Sequence, residues 1–208
     1  MLRRATAMLV LALLSLAGAA GAQLKLPPPQ GYVNDFANVI SPEYEARIQA
    51  IVDEVRQKSG GEIVVVTLPS LQGRSEAEVA LQIGREWGVG KKGEAGDATR
   101  NTGTVVLVAP TEHKVRVELG YQTNTFITAA ESGRIQDEHM VPAFRAGNYG
   151  QGILEGVTAI AQAYAQQFKF QLTGAGAAAP AGEPQVQYQP QPSGRRRPGR
   201  GGISPKLI

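Results

Sequence analysis

The chain has 208 residues, 42% of them hydrophobic, and contains no cysteine. Disulfides, thiolate zinc sites and a thiol nucleophile are therefore excluded, and the length suits one domain of ordinary depth. The formal charge of +3 belongs to the ends, because the first 22 residues hold two arginines and the segment after Phe170 holds four arginines and a lysine against one glutamate; the part between is net acidic, which argues against a nucleic-acid-binding domain.

At the start, Arg3 and Arg4 precede an apolar run from Met8 to Ala17, which ends in the small residues Ala20-Gly21-Ala22. Residues 1–22 read as a secretory signal peptide cut before Gln23, since the run is shorter than the ~20 residues of a spanning helix. The expected location is exported, in the periplasm or envelope of a bacterium. Residues 23–31, with Pro27-Pro28-Pro29, read as an extended spacer of polyproline character. Tyr32 to Ile40 alternates briefly, as a short strand or a pinned loop does. Ser41-Pro42-Glu43 then opens a helix that runs to about Lys58, with Tyr44, Ile48, Ile51, Val52 and Val55 inward, and Gly60-Gly61 closes it.

Two unbroken β-branched runs, Ile63 to Leu68 and Thr104 to Ala109, read as central strands buried on both faces. Between them, Ser75-Glu76-Ala77-Glu78 is a capping box that starts a second helix carrying Val79, Ile83 and Trp87 inward. A loop rich in Gly and charge follows, from Gly88 to Gly103. After a turn at Pro110 to His113, Lys114 to Leu119 alternates at period two. This predicts a hairpin strand with Val115, Val117 and Leu119 on one face and Lys114, Arg116 and Glu118 on the other. Thr128 to Glu131 is a second capping box, opening a helix through Phe144 that Pro142 bends. In the last helix, Ile153, Val157, Ile160, Ala161, Tyr164 and Phe168 form the apolar stripe.

The expected fold is an α/β single-domain sandwich over residues 32–170, with a small mixed sheet, helices on both faces and an antiparallel edge hairpin. Residues 171–208 are Gly, Ala, Pro and Gln with Arg195-Arg196-Arg197 and Arg200, the composition of a disordered tail. Its basic cluster suits contact with anionic lipid.

Most motifs that could carry chemistry fail a structural requirement. Gly88-Val89-Gly90-Lys91-Lys92-Gly93 follows a helix, whereas a dinucleotide fingerprint needs its glycines after a strand; no nucleotide or haem is expected. Asp97 to Asn101 spaces its oxygens as a calcium loop does, but lacks the central glycine and the twelfth-position glutamate. His113 and His139 share no zinc spacing with carboxylates, and no Gly-x-Ser-x-Gly elbow exists. What remains are acids near strand ends: Asp35, Glu62 and Glu118, with Glu131 in its capping box. In open α/β sheets ligands gather where strands end, and acids around one rim suit a hard cation. Each also has a plain structural use, in a turn, an ion pair or a helix start.

An ordered series of stretches carries a resemblance: Val33-Asn34-Asp35-Phe36-Ala37-Asn38-Val39-Ile40-Ser41, Gly61-Glu62-Ile63-Val64-Val65-Val66-Thr67, Trp87-Gly88-Val89-Gly90, Asn101 with Gly103, Val115-Arg116-Val117-Glu118-Leu119-Gly120-Tyr121, and Pro142-Ala143-Phe144-Arg145-Ala146-Gly147-Asn148-Tyr149. Between Tyr32 and Phe168 the chain resembles the TPM domain family, found in bacterial envelope proteins and in a thylakoid lumen protein of photosystem II repair. The resemblance implies a compact α/β sandwich. It also implies calcium binding as in some members, acid phosphatase activity as attributed to the plant lumen member, or an accessory role ahead of a membrane helix. Two acids common in the family are absent here, where Gln122-Thr123-Asn124-Thr125 follows the tyrosine and Ala129 follows the later threonine.

The candidate site is accordingly a rim with Asp35, Asn101 and Glu118 as ligands of calcium or magnesium, and Glu62, Arg116, Gly120 and Tyr121 as the surface for a ligand or partner. The first functional reading is an exported accessory or binding module for an envelope protein or membrane complex. The second is a metal-dependent acid phosphatase acting on phosphomonoesters or phosphoproteins, and a third is a protein that binds surfaces through its arginine tail. No nucleophile or general acid stands at defined spacing, which favours the module.

Overall fold

The computed structural model describes residues 25–90 and 100–173. Four strands form one sheet in chain order. β1 (Val33–Asp35), β2 (Glu62–Thr67) and β3 (Gly103–Ala109) are parallel, and β4 (Lys114–Leu119) returns antiparallel to β3. α1 (Pro42–Ser59) joins β1 to β2, and α2 (Glu76–Glu86) lies between β2 and β3. A 3₁₀ turn (Thr123–Thr125) leads from β4 to α3 (Ala129–Ile135), a π-helical segment (Gln136–Met140), α4 (Val141–Arg145) and α5 (Tyr149–Phe168).

The apolar runs of β2 and β3 are continuous because the sheet is covered on both sides. Ile63, Val65, Val106 and Val108 face a larger core with α1 and α5, whereas Val64, Val66, Val105 and Leu107 face a smaller one with Val79, Ala80 and Ile83 of α2. The sandwich with helices on both faces is the architecture found. Trp87 is only half-buried; it meets Phe36 edge to face at 6.4 Å beside the smaller core. The lead-in is more than a spacer. Leu26 packs against the smaller core, and the buried Asn34 side chain accepts from Gln30 N–H at 2.7 Å while donating to Gly31 O and Val65 O. At the other end the chain stays fastened to α1 beyond Phe170: Lys58 Nζ donates to Gln171 O at 2.7 Å, and Thr173 N–H to Glu54 Oε1 at 2.8 Å. The expected signal peptide, residues 91–99 and the arginine cluster lie outside the described residues.

Of the two expected capping boxes, that at Ser75 has both arms, with Glu78 N–H donating to Ser75 Oγ and Ser75 N–H to Glu78 Oε2. At Thr128 the hydroxyl accepts from Glu131 N–H. Ser41 occupies the cap of α1 without a side-chain cap bond, and Gly60 closes that helix in the left-handed region. The helix expected from Thr128 through Phe144 is instead three pieces, with the π turn directly before α4. Proline lacks an N–H, and its ring clashes with the carbonyl four residues back in α geometry; widening the turn ahead of Pro142 relieves that clash. The broken helix then lies tightly on α5. A Cβ at Gly152 would sit 2.8 Å from Met140 O, and one at Gly156 2.7 Å from the Met140 sulfur.

Tyr164 of α5 ties these layers to the end of the sheet where β2 and β3 begin. Its buried hydroxyl donates to Thr102 O at 3.1 Å and lies 3.0 Å from Thr104 Oγ1. A hydroxyl has one proton to give, so the Thr104 hydroxyl is the donor in the second contact. Thr123, 3.2 Å from the same phenol oxygen, donates to Gly103 O at 3.0 Å. Burial pushes the Tyr164 hydroxyl up to about 12.

Candidate functional site

Three backbone segments meet where β2 and β3 begin and β4 ends. Glu62 N–H donates to Thr102 O, Gly120 N–H to Gly103 O at 2.7 Å, and Gln122 N–H to Asn101 O. Gly90 N–H donates to Glu62 Oε2 at 2.8 Å. The glycines are what let these segments touch. A Cβ on Gly103 would lie 2.7 Å from Val89 O, one on Gly90 2.8 Å from Gly103 N, and one on Gly120 would overlap Asn101 O. Gly90 also has φ +86, a left-handed conformation that glycine adopts without steric cost. Within the glycine cluster after α2, Gly90 is thus a packing glycine.

This junction floors a cleft of about 500 Å³. α2 supplies Leu81 and Arg85 as one wall, β3 supplies Val105, and the end of β4 supplies Glu118, Leu119 and Tyr121 as the other. Tyr121 is 82% exposed and Leu81 39%, and they are the exposed large hydrophobic residues among those described. Arg116 donates from Nε and Nη2 to Glu118 Oε2, at 3.0 and 2.7 Å. Both are partly exposed, so the pair contributes at most about 1 kcal/mol to stability, but it occupies one oxygen of the acid.

Of the seven residues expected on the rim, Asn101, Glu118, Gly120 and Tyr121 line the cleft. Glu62 is at the same end of the sheet, tied to Gly90 N–H, and Arg116 reaches that end through Glu118. Asp35 does not belong with them. It pairs with Thr67, which is level with Val108 and Val115, whereas Glu62 pairs with Gly103. Five residues of strand separate the two levels, about 16 Å. The Asp35 carboxylate instead fastens its own loop, accepting from Val39 N–H at 3.2 Å, Ile40 N–H at 2.9 Å and the Thr67 hydroxyl. Nearby in the chain's hairpin turn, Glu112 accepts from the Ser70 hydroxyl and Leu71 N–H, and the Ser70 bond chiefly holds its carboxyl below the usual range.

Glu131, in the first turn of α3, borders a separate polar groove of about 200 Å³ with His139. Among the described residues no three His, Asp or Glu side chains are grouped to hold a metal. Calcium takes six to eight oxygens. With Asp35 at the far end, Asn101 and Glu118 are the two expected ligands that share the cleft, and Glu118 Oε2 is engaged by Arg116. Leu81 and Arg85 escaped the sequence reading because both lie off the Val79 and Ile83 stripe of α2, where exposed residues carry no periodic signal.

The TPM domain family profile matches residues 33–163. No curated protein matches the chain. The solution structure of an N-terminal domain from P. gingivalis is similar, with 29% identity and a TM-score of 0.59, over 67% of this chain and 85% of that one. The N-terminal domain of protein cg2496 from Corynebacterium glutamicum shares the fold at 21% identity and a TM-score of 0.51, over 67% and 84%. With the profile spanning all four strands and most of α5, this chain is a member of the TPM domain family.

Proposed function

We propose that this protein is an exported accessory or binding module of the bacterial envelope, which recognises a partner protein in the cleft between α2 and the end of β4. The observation that carries the reading is that Leu81 and Tyr121, both exposed, face one cleft. Scattered exposed apolar residues need no explanation, whereas convergent ones around a concave surface point to binding. An aromatic anchor beside an aliphatic one is the kind of pair that dominates interface energy. The arginine tail would add weak, salt-dependent attraction to anionic lipid and hold the module near the membrane. The phosphatase reading is the less favoured one, since the described residues lining the cleft include no Ser, Thr or His.

Affinity capture with the full chain from the envelope of its host tests this. Truncating an anchor costs roughly 2 kcal/mol, so a Leu81→Lys, Tyr121→Ala chain should lose most of the partner that the unaltered chain retains. Equal recovery by both would sink the cleft as the recognition face.

A further inference from the structure

We propose that the segment received by the cleft is an extended peptide in which a carboxylate stands beside an aromatic or large aliphatic side chain; this deepens the reading above and rests on it. Charge carries the inference. The ion pairs among the described residues are Lys58–Glu54, Arg74–Glu78, Lys114–Glu76 and Arg116–Glu118. Arg85 is in none of them. Helical spacing gives the reason, for its neighbours four residues away are Leu81 and Val89, so no acid stands where an intrahelical pair would form. The adjacent Glu86 accepts instead from Gln82 Nε2, at 2.9 Å. The acid of the cleft is already answered, since Arg116 approaches Glu118 Oε2 with two N–H groups. Of the charged side chains among the described residues lining the cleft, Arg85 is therefore the one not engaged in an ion pair.

A guanidinium presents a planar fork that a carboxylate fills with two parallel hydrogen bonds. Leu81 lies one turn before Arg85 on the same helix, and Tyr121 stands on the opposite wall, so an anion held at Arg85 has apolar surface within a residue's reach. Along the α2 wall two glycines leave room among the described residues. A Cβ at Gly88 would meet nothing within 4 Å, and one at Gly84 only Val105 Cγ2, at 3.7 Å. That space admits a passing main chain. At about 500 Å³, with Leu81, Val105, Leu119 and Tyr121 among its lining, the cleft is also far larger than a lone inorganic anion requires.

The test uses the full chain labelled with nitrogen-15 and titrated with acetyl-Gly-Phe-Asp-Leu-Gly-amide, with its Asn and Lys counterparts, and with inorganic phosphate alone. The Asp peptide should shift the backbone amides of residues 81–90 and of Gly103, Gly120 and Tyr121. Its affinity should fall about tenfold or more, both when Asn replaces its Asp and when Arg85→Gln is made in the protein, with partial rescue by Arg85→Lys. Equal binding of the Asp and Asn peptides, or an Arg85→Gln chain that binds as before, would overturn the anionic partner while leaving the cleft a docking face. Phosphate alone producing the same shifts at the same affinity would reduce the site to a simple anion site and overturn the peptide. If no peptide shifts the cleft amides, the inference fails, and capture from the envelope decides the wider reading separately.

Discussion

A Gly120→Ala chain is expected to lose roughly 3 kcal/mol of stability, a substantial part of the 5–15 kcal/mol that holds a domain together. Its Cβ would overlap Asn101 O and come within 3.0 Å of Gly103 O and 3.1 Å of Gly103 N. All three are backbone atoms of the junction beneath the cleft, so no side chain can swing aside; β3 and β4 would have to part where Gly120 N–H bonds Gly103 O. Gly88→Ala is the control. Gly88 has φ +68 but open space around it, so the change costs only backbone strain, about 1 kcal/mol. Thermal unfolding separates the two: at 2–4 °C per kcal/mol for a chain of this size, Tm should fall by roughly 10 °C for Gly120→Ala and a few degrees for Gly88→Ala. Equal losses would mean that the junction is not closely packed.

The second large effect lies at high pH. Burial raises the Tyr164 hydroxyl to about 12, from the ordinary 10.0. Between those values an unfolded chain gives up this proton while the folded chain keeps it, so the unfolded state binds fewer protons and stability falls as pH rises. The contribution is fully present below pH 10 and is lost on passing through about 12, a change on the order of 2–3 kcal/mol. Tyr164→Phe should remove this component of the alkaline slope. At neutral pH the same variant should be about 1–3 kcal/mol less stable, because the hydroxyl of the fully buried Thr104 loses its acceptor and Thr102 O is left with the Glu62 N–H alone. Urea unfolding at pH 7 and across pH 9–11.5 checks both parts. A variant whose slope above pH 10 matches that of the unaltered chain would contradict the assignment of that component to Tyr164.

What could be read from the chain follows from what leaves a periodic mark. β2 and β3 were visible as unbroken β-branched runs because each is covered on both faces, and β4 alternated because only Val115, Val117 and Leu119 pack toward the larger core. The complete capping box at Ser75 was legible because both of its arms are local. Two features were not. The π turn is one, because Pro142 announces a break in the helix but not whether a kink or a widened turn accommodates it. The rim was misassembled because closeness to a strand end does not say which end of the sheet is meant. Glu62 opens a parallel strand and Glu118 nearly closes the antiparallel one, so they share an end, whereas Asp35 closes a parallel strand and lies at the other.

That division makes the most direct test a comparison of the two ends. A photo-crosslinking amino acid placed at Tyr121, and in a separate chain at Asn38, which is exposed in the loop that Asp35 fastens, can be activated in living cells of the host that express the full chain. The account predicts a discrete protein adduct from position 121, absent from position 38 and lost when Arg85→Gln is added. An adduct from position 38 with none from 121 would contradict it, and would return the recognition face to the end of the sheet that holds Asp35.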